Sequence, residues 1–494
     1  MNILLVSPRT PSTFWSFRYA LKFISKKSSE PPLGLLTVAA LLPEDWHLKL
    51  IDLNVQPLKE NDLRWADYLF LGGMNINVQS MRQVIRQAKQ IGLPVVVGGP
   101  LATIDRQLLE DVDYFVLNEA EITLPRFLDD LQKGHPQKIY STQAFPDLRQ
   151  SPVPRWDLLQ MDQYSDMSMQ FSRGCPYDCD FCNVTLLNGH RPRTKSAEQF
   201  LKELQTIYDL GWRGSVFIVD DNFIGNRRVV KHEILPAIIE WQKAHDRPFT
   251  FITQASVNLA DDESLMDLMV QAGFDSVFVG IETPNEASLS ESNKKQNERR
   301  DLLTAVKNMQ KHGLVVSGGF IVGFDHDPPE IFSIQEKFIQ RSGIITAMVG
   351  LLNAPTGTRL YKRLKAEGRL LRTMSGDNMD GDTNFIPKMD FQFLKSSYRQ
   401  LVDRLYEPKE FYTRLKIFLR DYCLPEWAGR GRISFNDIKA FLKTLLILGL
   451  WEKGRLQYWK VLGYTLLKFP QKFPLAVRLS VYGYHFRRIA RGLA

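Results

Sequence analysis

The chain has 494 residues, of which 44% are hydrophobic and 24% are charged, which is the composition of an ordinary folded protein. That length exceeds what one hydrophobic core supports and predicts two or three domains. No run approaches about 20 consecutive apolar residues, so we expect no membrane-spanning helix. The first residues, Met1–Val6, are typical of a strand rather than of a signal peptide, which favours a cytoplasmic protein.

The net charge of +8 is unevenly distributed along the chain. From Phe391 onward there are 20 Lys and Arg but 7 Asp and Glu, whereas the first 390 residues carry a net charge of −5. The basic excess therefore lies in the last fifth of the chain, which predicts an anionic surface as the partner of that segment. No recognised nucleic-acid-binding module accompanies this charge, so no nucleic-acid partner is expected.

Residues 1–135 alternate short apolar runs with helical patterns such as Ser80–Ile91 and Thr123–Gln132. Apolar strands separated by helices predict a parallel, doubly wound, Rossmann-like α/β domain. The predicted strands are Asn2–Ser7, Leu48–Asp52, Tyr68–Gly72, Pro94–Gly98 and Tyr114–Leu117. Residues 136–168 lose this periodicity and hold several prolines, which indicates a linker.

Residues 169–390 form a second alternating series, with helical patterns at Ala197–Leu210, Asp262–Ala272 and Arg299–His312. Six β–α units predict a partial (β/α)6 TIM barrel, whose sites lie at the C-terminal ends of the strands. The predicted strands are Met169–Ser172, Ser215–Val219, Thr250–Gln254, Ser276–Val279, Val315–Val322 and Thr346–Leu351. Residues 391–494 are predicted to be a helical, basic C-terminal domain.

Three cysteines follow the first strand of this series, in Phe171-Ser-Arg-Gly-Cys175-Pro-Tyr-Asp-Cys179-Asp-Phe-Cys182. Three thiolates in one loop can ligate three irons of a 4Fe–4S cluster and leave the fourth iron open. A closed zinc site is the alternative, but it needs four ligands, and His190 is the only nearby candidate for the fourth. Cys423 stands alone and is interpreted as a core residue.

The Cys-x-x-x-Cys-x-aromatic-Cys spacing resembles the signature of the radical S-adenosylmethionine (SAM) superfamily. The resemblance implies that the open iron chelates the amino and carboxylate groups of SAM and that Phe181 packs near the adenine. It also implies that an electron from an external donor cleaves SAM to a 5′-deoxyadenosyl radical.

The segment after the second barrel strand is similar to a further SAM-binding position of that superfamily. Asp220, Asp221 and Asn222 stand where a Gly-Gly-Glu-like segment usually meets the SAM ammonium. The resemblance implies that Asp221 or backbone carbonyls take that role here. A solvated loop or a helix N-cap is the alternative reading of the two aspartates.

Two later strand ends also resemble SAM-binding positions. The turn that ends at Glu282 is similar to the superfamily's Gly-x-Glu turn. A Gly-x-Ile-x-Gly strand, in which small residues let the backbone approach the adenine, is matched by Gly319, Ile321 and Gly323. The candidate ribose contacts, which end the third barrel strand, are Gln254 and Ser256.

An α/β domain before a radical SAM barrel resembles the cobalamin-binding domain of the B12-dependent subfamily. The resemblance implies that Gly98 and Gly99 let the bulky ligand lie against backbone and that Thr103 donates to its nucleotide tail. Asn118-Glu119-Ala-Glu121 partly matches a Gly-Glu-Gly-Glu segment of the subfamily. The chain lacks the Asp-x-His-x-x-Gly segment that supplies a histidine to cobalt, so none is expected here. The alternative is a Rossmann-like domain that only shapes the active site.

The last helices are predicted to be amphipathic. Leu456–Lys468 and Phe473–Arg491 mix aromatic and basic residues, which suits peripheral contact with a membrane. An ordinary helical bundle with a solvated basic face explains the same pattern. In Phe435–Trp451, roughly one helical face is expected to carry Ile438, Phe441, Leu442, Leu445, Leu446 and Leu448.

Over nearly its whole length the chain resembles the hopanoid methylases of the B12-dependent radical SAM group, in segments such as Pro31–Trp46, Phe217–Asn226 and Leu351–Leu370. The resemblance implies that one SAM supplies a methyl group through cobalamin, while a second gives the radical that takes hydrogen from an unactivated carbon. The implied substrate is a hopanoid-like lipid or another small molecule in a water-excluded cleft. Two alternatives remain: another B12-type enzyme, such as a cyclase or a tRNA- or small-molecule-modifying enzyme, and a non-catalytic iron–sulfur electron-transfer protein.

Overall fold

The computed structural model describes residues 1–428 and 435–493, and their strands form two six-stranded parallel sheets and one short antiparallel pair. The N-terminal sheet has the order β2-β1-β3-β4-β5-β6. Its strands are β1 (Asn2–Ser7), β2 (His47–Asp52), β3 (Tyr68–Gly72), β4 (Val95–Gly98), β5 (Tyr114–Val116) and β6 (Ile139–Tyr140). Its helices are α1 (Arg18–Leu21), α2 (Leu33–Leu41), α3 (Glu60–Trp65), α4 (Val78–Gln90), α5 (Gly99–Asp105) and α6 (Ala120–Gln132).

Both faces of this sheet are buried, as a doubly wound domain requires. Ile3 and Leu5 of β1 belong to one apolar cluster, whereas Leu4 and Val6 belong to another on the opposite face. Because successive side chains of a strand point to opposite faces, helices cover the sheet on both sides. The predicted Rossmann-like fold is confirmed.

The sheet has one strand that the sequence pattern did not predict. Ile139–Tyr140 lies in the predicted linker, but it pairs in parallel with β5. The Tyr140 ring is buried against Phe127 in an edge-to-face contact at 5.5 Å. Two residues are too few to show an alternating pattern, so a strand this short gives no periodic signal.

The second sheet is the predicted partial barrel of six parallel strands, in the order β14-β13-β12-β11-β10-β7. Its strands are β7 (Asp166–Met169), β10 (Ser215–Ile218), β11 (Thr250–Ala255), β12 (Phe274–Glu282), β13 (Val315–Val322) and β14 (Ala347–Leu351). The antiparallel pair is β8 (Ser172–Arg173) and β9 (Arg193–Thr194). The associated helices are α7 (Val184–Asn188), α8 (Ala197–Asp209), α9 (Arg227–Val229), α10 (Leu235–Ala244), α11 (Glu263–Ala272), α12 (Glu286–Glu291), α13 (Leu302–Lys311), α14 (Ile331–Ser342) and α15 (Arg359–Ala366).

The barrel has a closed outer face and a partly open inner face. On β12, Val277 and Val279 are fully buried, whereas Phe278 between them is only partly buried. The same alternation along β11 follows from the two-residue period of a strand. The side chains that face the barrel interior are therefore available to a ligand.

The C-terminal helices pack against the N-terminal segment and against the barrel. Phe486 stacks on Phe14 with ring centroids 4.0 Å apart, and Arg478 contacts Asp275 at 3.1 Å. In the described part of the chain, no helix combines the length and apolar character needed to cross a bilayer. The helices are α16 (Phe391–Tyr406), α17 (Pro408–Asp421), α18 (Phe435–Leu446), α19 (Arg455–Lys468) and α20 (Phe473–Leu493), with a π-helical segment, Ile447–Trp451, after α18.

Candidate active site

The three cysteines lie in a loop that leaves the barrel after β7 and is closed at its base by the β8–β9 pair. Gly174, which precedes Cys175, has a φ of +98°. A side chain there would lie 2.8 Å from the carbonyl oxygen of Arg191 and 3.0 Å from that of Asn188. The turn into the cysteine loop therefore requires glycine.

Asp220 fastens the start of this loop to the end of β10. Its carboxylate accepts the backbone N–H groups of Phe171 and Ser172 at 2.7 Å and the Ser172 hydroxyl at 2.5 Å. The side chain is fully buried, and burial raises the pKa of this carboxyl to about 7. Both oxygens accept hydrogen bonds from the start of the loop. The predicted SAM contact of Asp220 stays a prediction, and the geometry gives Asp220 a positioning role in addition.

The two predicted residues beside Asp220 have different partners. Asp221 accepts a hydrogen bond from Asn188 at 2.9 Å, within the cysteine loop. Asn222 accepts the backbone N–H of Ser256 and donates to its hydroxyl, both at 3.2 Å. Gln254, the fifth residue of β11, is partly buried and lies two residues before Ser256, which follows the strand. Asn222 and Ser256, two of the candidate SAM contacts, thus lie together at adjacent strand ends.

The outer side of the cysteine loop is held by α15 and by the segment after α12. Arg359 contacts Asp180 at 3.0 Å and also contacts Asp178. Asn293 donates to the carbonyl oxygen of Asp178 at 2.6 Å. The loop is therefore fixed on two sides, and the protein itself sets the positions of the thiols.

The three thiols of the loop are free and partly buried. Burial raises the pKa of each thiol, and that of Cys182 to about 12. Within residues 1–428 and 435–493, no three His, Cys, Asp or Glu side chains converge closely enough to hold a single metal ion. The His190 side chain is 61% exposed and does not complete a zinc site. Three thiols on an open loop fit a 4Fe–4S cluster better than zinc.

Cys423 does not fill the core position predicted for it. It is exposed in the segment that follows α17, where its backbone N–H donates to the carbonyl of Gln310. The helix ends at Asp421, so Cys423 lies outside the apolar face that would have buried it.

Sequence reasoning missed Lys294. Its ammonium lies 2.6 Å from Glu282 Oε1, its side chain is 12% exposed, and its charge lowers the pKa of all three loop thiols. Burial lowers the pKa of Lys294, but Glu282 and Cys179 raise it by more, so the lysine stays charged. No motif includes this lysine, and only the folded chain brings it to the cysteines.

Gly280 makes room for this ion pair. A Cβ at Gly280 would collide with Glu282 Oε1 and lie 2.9 Å from Lys294 Nζ. Glu282 itself has a φ of +61°, which non-glycine residues seldom adopt. The predicted Glu282 therefore faces the cysteine loop through Lys294.

The residues expected to meet the adenine also lie together. Phe181 and Ile321 belong to one apolar cluster with Phe324, whose ring centroid is 6.3 Å from that of Phe181. Gly323 ends β13 with a φ of +99°, and its N–H donates to Asp327 at 2.8 Å. This arrangement offers an apolar surface and a tight backbone turn next to the cysteine loop.

The glycines of the N-terminal domain bring strand ends together. A Cβ at Gly98 would lie 2.7 Å from a carbonyl oxygen of β5, and one at Gly99, where φ is +86°, would lie 3.3 Å from Gly73 N. Neighbouring backbone therefore also requires glycine at both positions, and their predicted contact with cobalamin stays a prediction. Thr103 accepts the N–H of Asn118 at 2.9 Å, which leaves its hydroxyl hydrogen for another acceptor.

The edge of the sheet that would face cobalamin is open. Met74, in the loop after β3, is 58% exposed. Residues 72–79 contain no histidine. The surface fits a large ligand held by backbone and polar groups, without a histidine from this loop.

Two arginines tie the cysteine loop to the N-terminal domain; we call Arg173, Arg193, Glu119 and Glu121 the arginine clamp. Arg173 contacts Glu119 at 2.6 Å and Glu121 at 2.9 Å, and Arg193 contacts Glu119 at 2.6 Å. Both glutamates are at most 7% exposed. Burial raises the pKa of Glu121, but Arg173 lowers it by more. Glu119 and Glu121, which partly match the Gly-Glu-Gly-Glu segment of the B12-dependent subfamily, thus hold the base of the cysteine loop.

The interior of the barrel has an apolar wall; we call Trp15, Phe278 and Met348 the interior wall. The Trp15 and Phe278 rings meet edge to face at 5.2 Å, and Trp15 Nε1 donates to Met348 Sδ at 3.0 Å. A Cβ at Gly319 would lie 2.8 Å from the Phe278 ring, so this glycine makes room for the wall rather than contacting only a cofactor. Trp15 follows β1, so the N-terminal domain completes the barrel.

The C-terminal strand edges of the two sheets face each other. The arginine clamp joins them on one side. On another side, a Cβ at Gly376, in the segment after α15, would lie 2.6 Å from the backbone nitrogen of Ile76, in the loop after β3. The cysteine loop and the predicted cobalamin edge therefore open toward one shared space.

Comparison with known families assigns three regions of the chain. Residues 23–128 match the B12 binding domain, residues 169–333 match the radical SAM superfamily, and residues 358–494 match a domain of unknown function, DUF4070. The fold and the site define a radical SAM enzyme with a cobalamin-binding domain. Its cofactors are a 4Fe–4S cluster, SAM and cobalamin.

Two curated relatives align over almost the whole chain. An uncharacterized methyltransferase of Synechocystis sp. is 40% identical and covers 98% of this chain and 91% of its own. The hopanoid C-2 methylase of Rhodopseudomonas palustris is 33% identical and covers 93% of this chain and 88% of its own. The chain belongs to the cobalamin-dependent radical SAM methyltransferases.

Solved structures share the fold at low identity. The cobalamin-dependent radical SAM enzyme OxsB, with aqua-cobalamin and SAM bound, has a TM-score of 0.63 over 99% of this chain and 80% of its own, at 14% identity. The radical SAM methyltransferase TsrM from Kitasatospora setae, with cobalamin and a [4Fe-4S] cluster bound, has a TM-score of 0.59 over 99% of both chains, at 16% identity.

Proposed function

We propose that this methyltransferase adds a methyl group to an unactivated carbon of a hopanoid-like lipid. The observation that carries the proposal is the interior wall of Trp15, Phe278 and Met348, an apolar surface inside the barrel from which the cysteine loop extends. Apolar surface of this kind suits a polycyclic hydrocarbon and repels water. The identity of 33% to a hopanoid C-2 methylase supports the same substrate class.

The cofactors, when bound, supply a radical for hydrogen abstraction and a methyl group for transfer. Cys175, Cys179 and Cys182 would hold the cluster, and Lys294 places a positive charge beside their thiolates. Glu282 holds that ammonium in place at 2.6 Å. These residues together let a small, partly buried loop carry three negative charges.

The residues around the loop would orient SAM. Phe181 and Ile321 give an apolar surface for the adenine, and Asn222 and Ser256 offer polar atoms at the adjacent strand ends. Asp220 sets the position of the loop from below. On the N-terminal domain, the open edge beside Gly99 would receive cobalamin.

The proposal includes an external electron donor. An open cleft of about 650 Å³ lies beside the cysteine loop and is lined by Tyr177, Asp178, Lys295 and other polar residues. Its position next to the ligand loop lets a donor approach the cluster from solvent.

The test is the product of anaerobically reconstituted protein given SAM, cobalamin, a reductant and a hopanoid extract. We expect 5′-deoxyadenosine together with a lipid that has gained one CH2 unit, both measured by mass spectrometry. Parallel samples receive tRNA or a tetrapyrrole. Methylation of either while the lipid stays unchanged would overturn the lipid substrate.

A further inference from the structure

The exposed apolar side chains of the protein are concentrated on its last helices. Of the 22 large hydrophobic side chains that are exposed in the described residues, 10 lie between Phe435 and Leu467, a stretch of less than a tenth of the chain. Single exposed apolar residues are normal, but a cluster indicates an interaction surface.

Helix α18 and the π-helical segment after it are apolar on two sides. Ile438, Leu442, Leu446 and Leu450 recur every four residues and are 49–54% exposed, whereas Leu448 is fully buried. The core therefore covers only part of the predicted apolar face and leaves the other part exposed. A row of exposed apolar side chains of this kind indicates a further apolar neighbour.

Helix α19 carries a similar stripe beside the first. Leu456 is 69% and Trp459 is 47% exposed. The Trp459 indole donates to the carbonyl of Gly449 at 3.0 Å, which joins the two helices at their connecting corner. We call the surface that these side chains share the hairpin face, formed by Leu442, Leu446, Leu450, Trp451, Leu456 and Trp459.

The hairpin face lies in the most basic part of the chain. Residues 435–494 contain eleven Lys and Arg but only two acidic residues. One of these, Glu452, is 12% exposed and contacts Arg491 at 3.3 Å. By contrast, Lys453, Arg455 and Lys460 are exposed next to the apolar stripe. The rim therefore presents positive charge to whatever covers the face.

The hairpin face adjoins the segment that completes the barrel. Lys443 Nζ donates to the carbonyl of Lys22 and to the hydroxyl of Ser25, both at 3.0 Å. This segment begins at Trp15 of the interior wall. The hairpin face is therefore joined to the chain segment that carries Trp15.

We propose that the hairpin face docks on an anionic phospholipid bilayer, with its apolar side chains among the headgroups and its lysines and arginines on the phosphates. Charge complementarity selects this occupant over another protein. The reason for docking rests on the proposed lipid methylation, but binding itself does not require the reaction.

The test is flotation of the full-length protein with vesicles of phosphatidylcholine, with and without phosphatidylglycerol. We expect binding only to the anionic vesicles, weakening at high salt. The double variant Leu450→Ser with Trp451→Ser should bind at least tenfold less. Its matched control is Leu371→Ser with Ile386→Ser, which changes two side chains that are 56% and 50% exposed elsewhere and should bind like the wild type.

A charge variant tests the basic rim of the hairpin face separately from its apolar side chains. Lys453→Glu with Arg455→Glu should lose binding to anionic vesicles, whereas Lys311→Glu, an exposed lysine elsewhere, should not. Wild-type protein that stays in the soluble fraction at low salt, or a hairpin variant that floats normally, would overturn the docking surface. So would lipid-free wild-type protein that dimerises through this face.

The two proposals fail in different ways. A hairpin variant should still methylate detergent-solubilised lipid, because its substitutions lie outside the site. Methylation by wild-type protein that does not bind vesicles would refute only the docking. Vesicle binding without methylation of any lipid would refute only the proposal that the substrate is a lipid.

Discussion

Lys294 lies between a carboxylate and three thiols, and its charge affects how much negative charge the cysteine loop can hold. Three thiolates in a partly buried loop repel one another, and an adjacent ammonium offsets that repulsion. Glu282 orients the ammonium at 2.6 Å, and Gly280 gives the pair its space. The residue that supports the cluster ligands is therefore outside the cysteine motif.

We expect Lys294→Gln to lower both the iron content after reconstitution and the yield of 5′-deoxyadenosine, the latter at least tenfold. It should also lower the free energy of unfolding by about 3 kcal/mol, because Glu282 is left as an unpaired buried charge. Lys311→Gln is the control, since Lys311 is an exposed lysine at the end of α13. Full iron content and activity in Lys294→Gln would contradict this role.

At the scale of elements, the sequence pattern predicted which segments are strands better than it predicted where each strand begins and ends. The limits of Val315–Val322 were correct because its apolar run is bounded by a turn on each side. The first barrel strand was placed three residues late, because the Asp220 carboxylate takes the N–H groups of Phe171 and Ser172 away from the sheet. A tertiary contact of this kind leaves no mark on local periodicity.

The same limit applies to the candidate site. The cysteines and the strand-end residues were predictable, because motif and position in a parallel sheet place them at one edge. The partners of Glu119 and Glu121 were not, since the chain must fold before Arg173 and Arg193 reach them. Sequence alone therefore predicts which residues are ligands but not which residues hold them in place.

The arginine clamp should control alignment between the two domains. We expect Arg173→Gln to cost about 3 kcal/mol of unfolding free energy, because two buried glutamates lose a partner. Arg173→Lys should recover only part of the lost free energy of unfolding, since lysine cannot bond both carboxylates in the same way. The ratio of methylated product to 5′-deoxyadenosine should fall in both variants, because the radical forms while the substrate is misaligned.

Arg149→Gln is the control for the clamp. Arg149 is 70% exposed and pairs with Asp147 on the surface, so its loss should change stability by less than about 1 kcal/mol. If Arg173→Gln keeps the wild-type product ratio, the clamp is only structural and does not align the reaction.

At the scale of the whole molecule, a buried contact joins helix α20, near the C-terminus, to the segment that follows β1. His485 of α20 is fully buried, its Nε2 lies 2.9 Å from the carbonyl oxygen of Phe14, and its Nδ1 accepts the backbone N–H of Tyr19. Phe14 precedes Trp15 of the interior wall. Because one ring nitrogen accepts and the other donates, the imidazole must be neutral. The C-terminal helices therefore hold the segment that walls the barrel interior.

This contact makes stability depend on pH. Burial lowers the pKa of His485 to about 4, below its unfolded value of about 6.5. The folded state thus binds fewer protons between these values, and its stability is complete above pH 6.5 and lost as the pH falls toward 4. When the pH is lowered from 7.5 to 5, protonation of His485 should lower the free energy of unfolding of the wild type by about 2 kcal/mol. Denaturant titration at the two pH values measures this change.

His485→Gln keeps a donor near Phe14 but cannot titrate, so this part of the pH dependence should disappear. His135→Gln changes an exposed histidine and should behave like the wild type. The same loss of stability in His485→Gln and in the wild type would show that another group titrates. Because Trp15 follows Phe14 directly, acidification should also change the surroundings of Trp15, so the tryptophan fluorescence of the wild type, but not that of His485→Gln, should change before the chain unfolds.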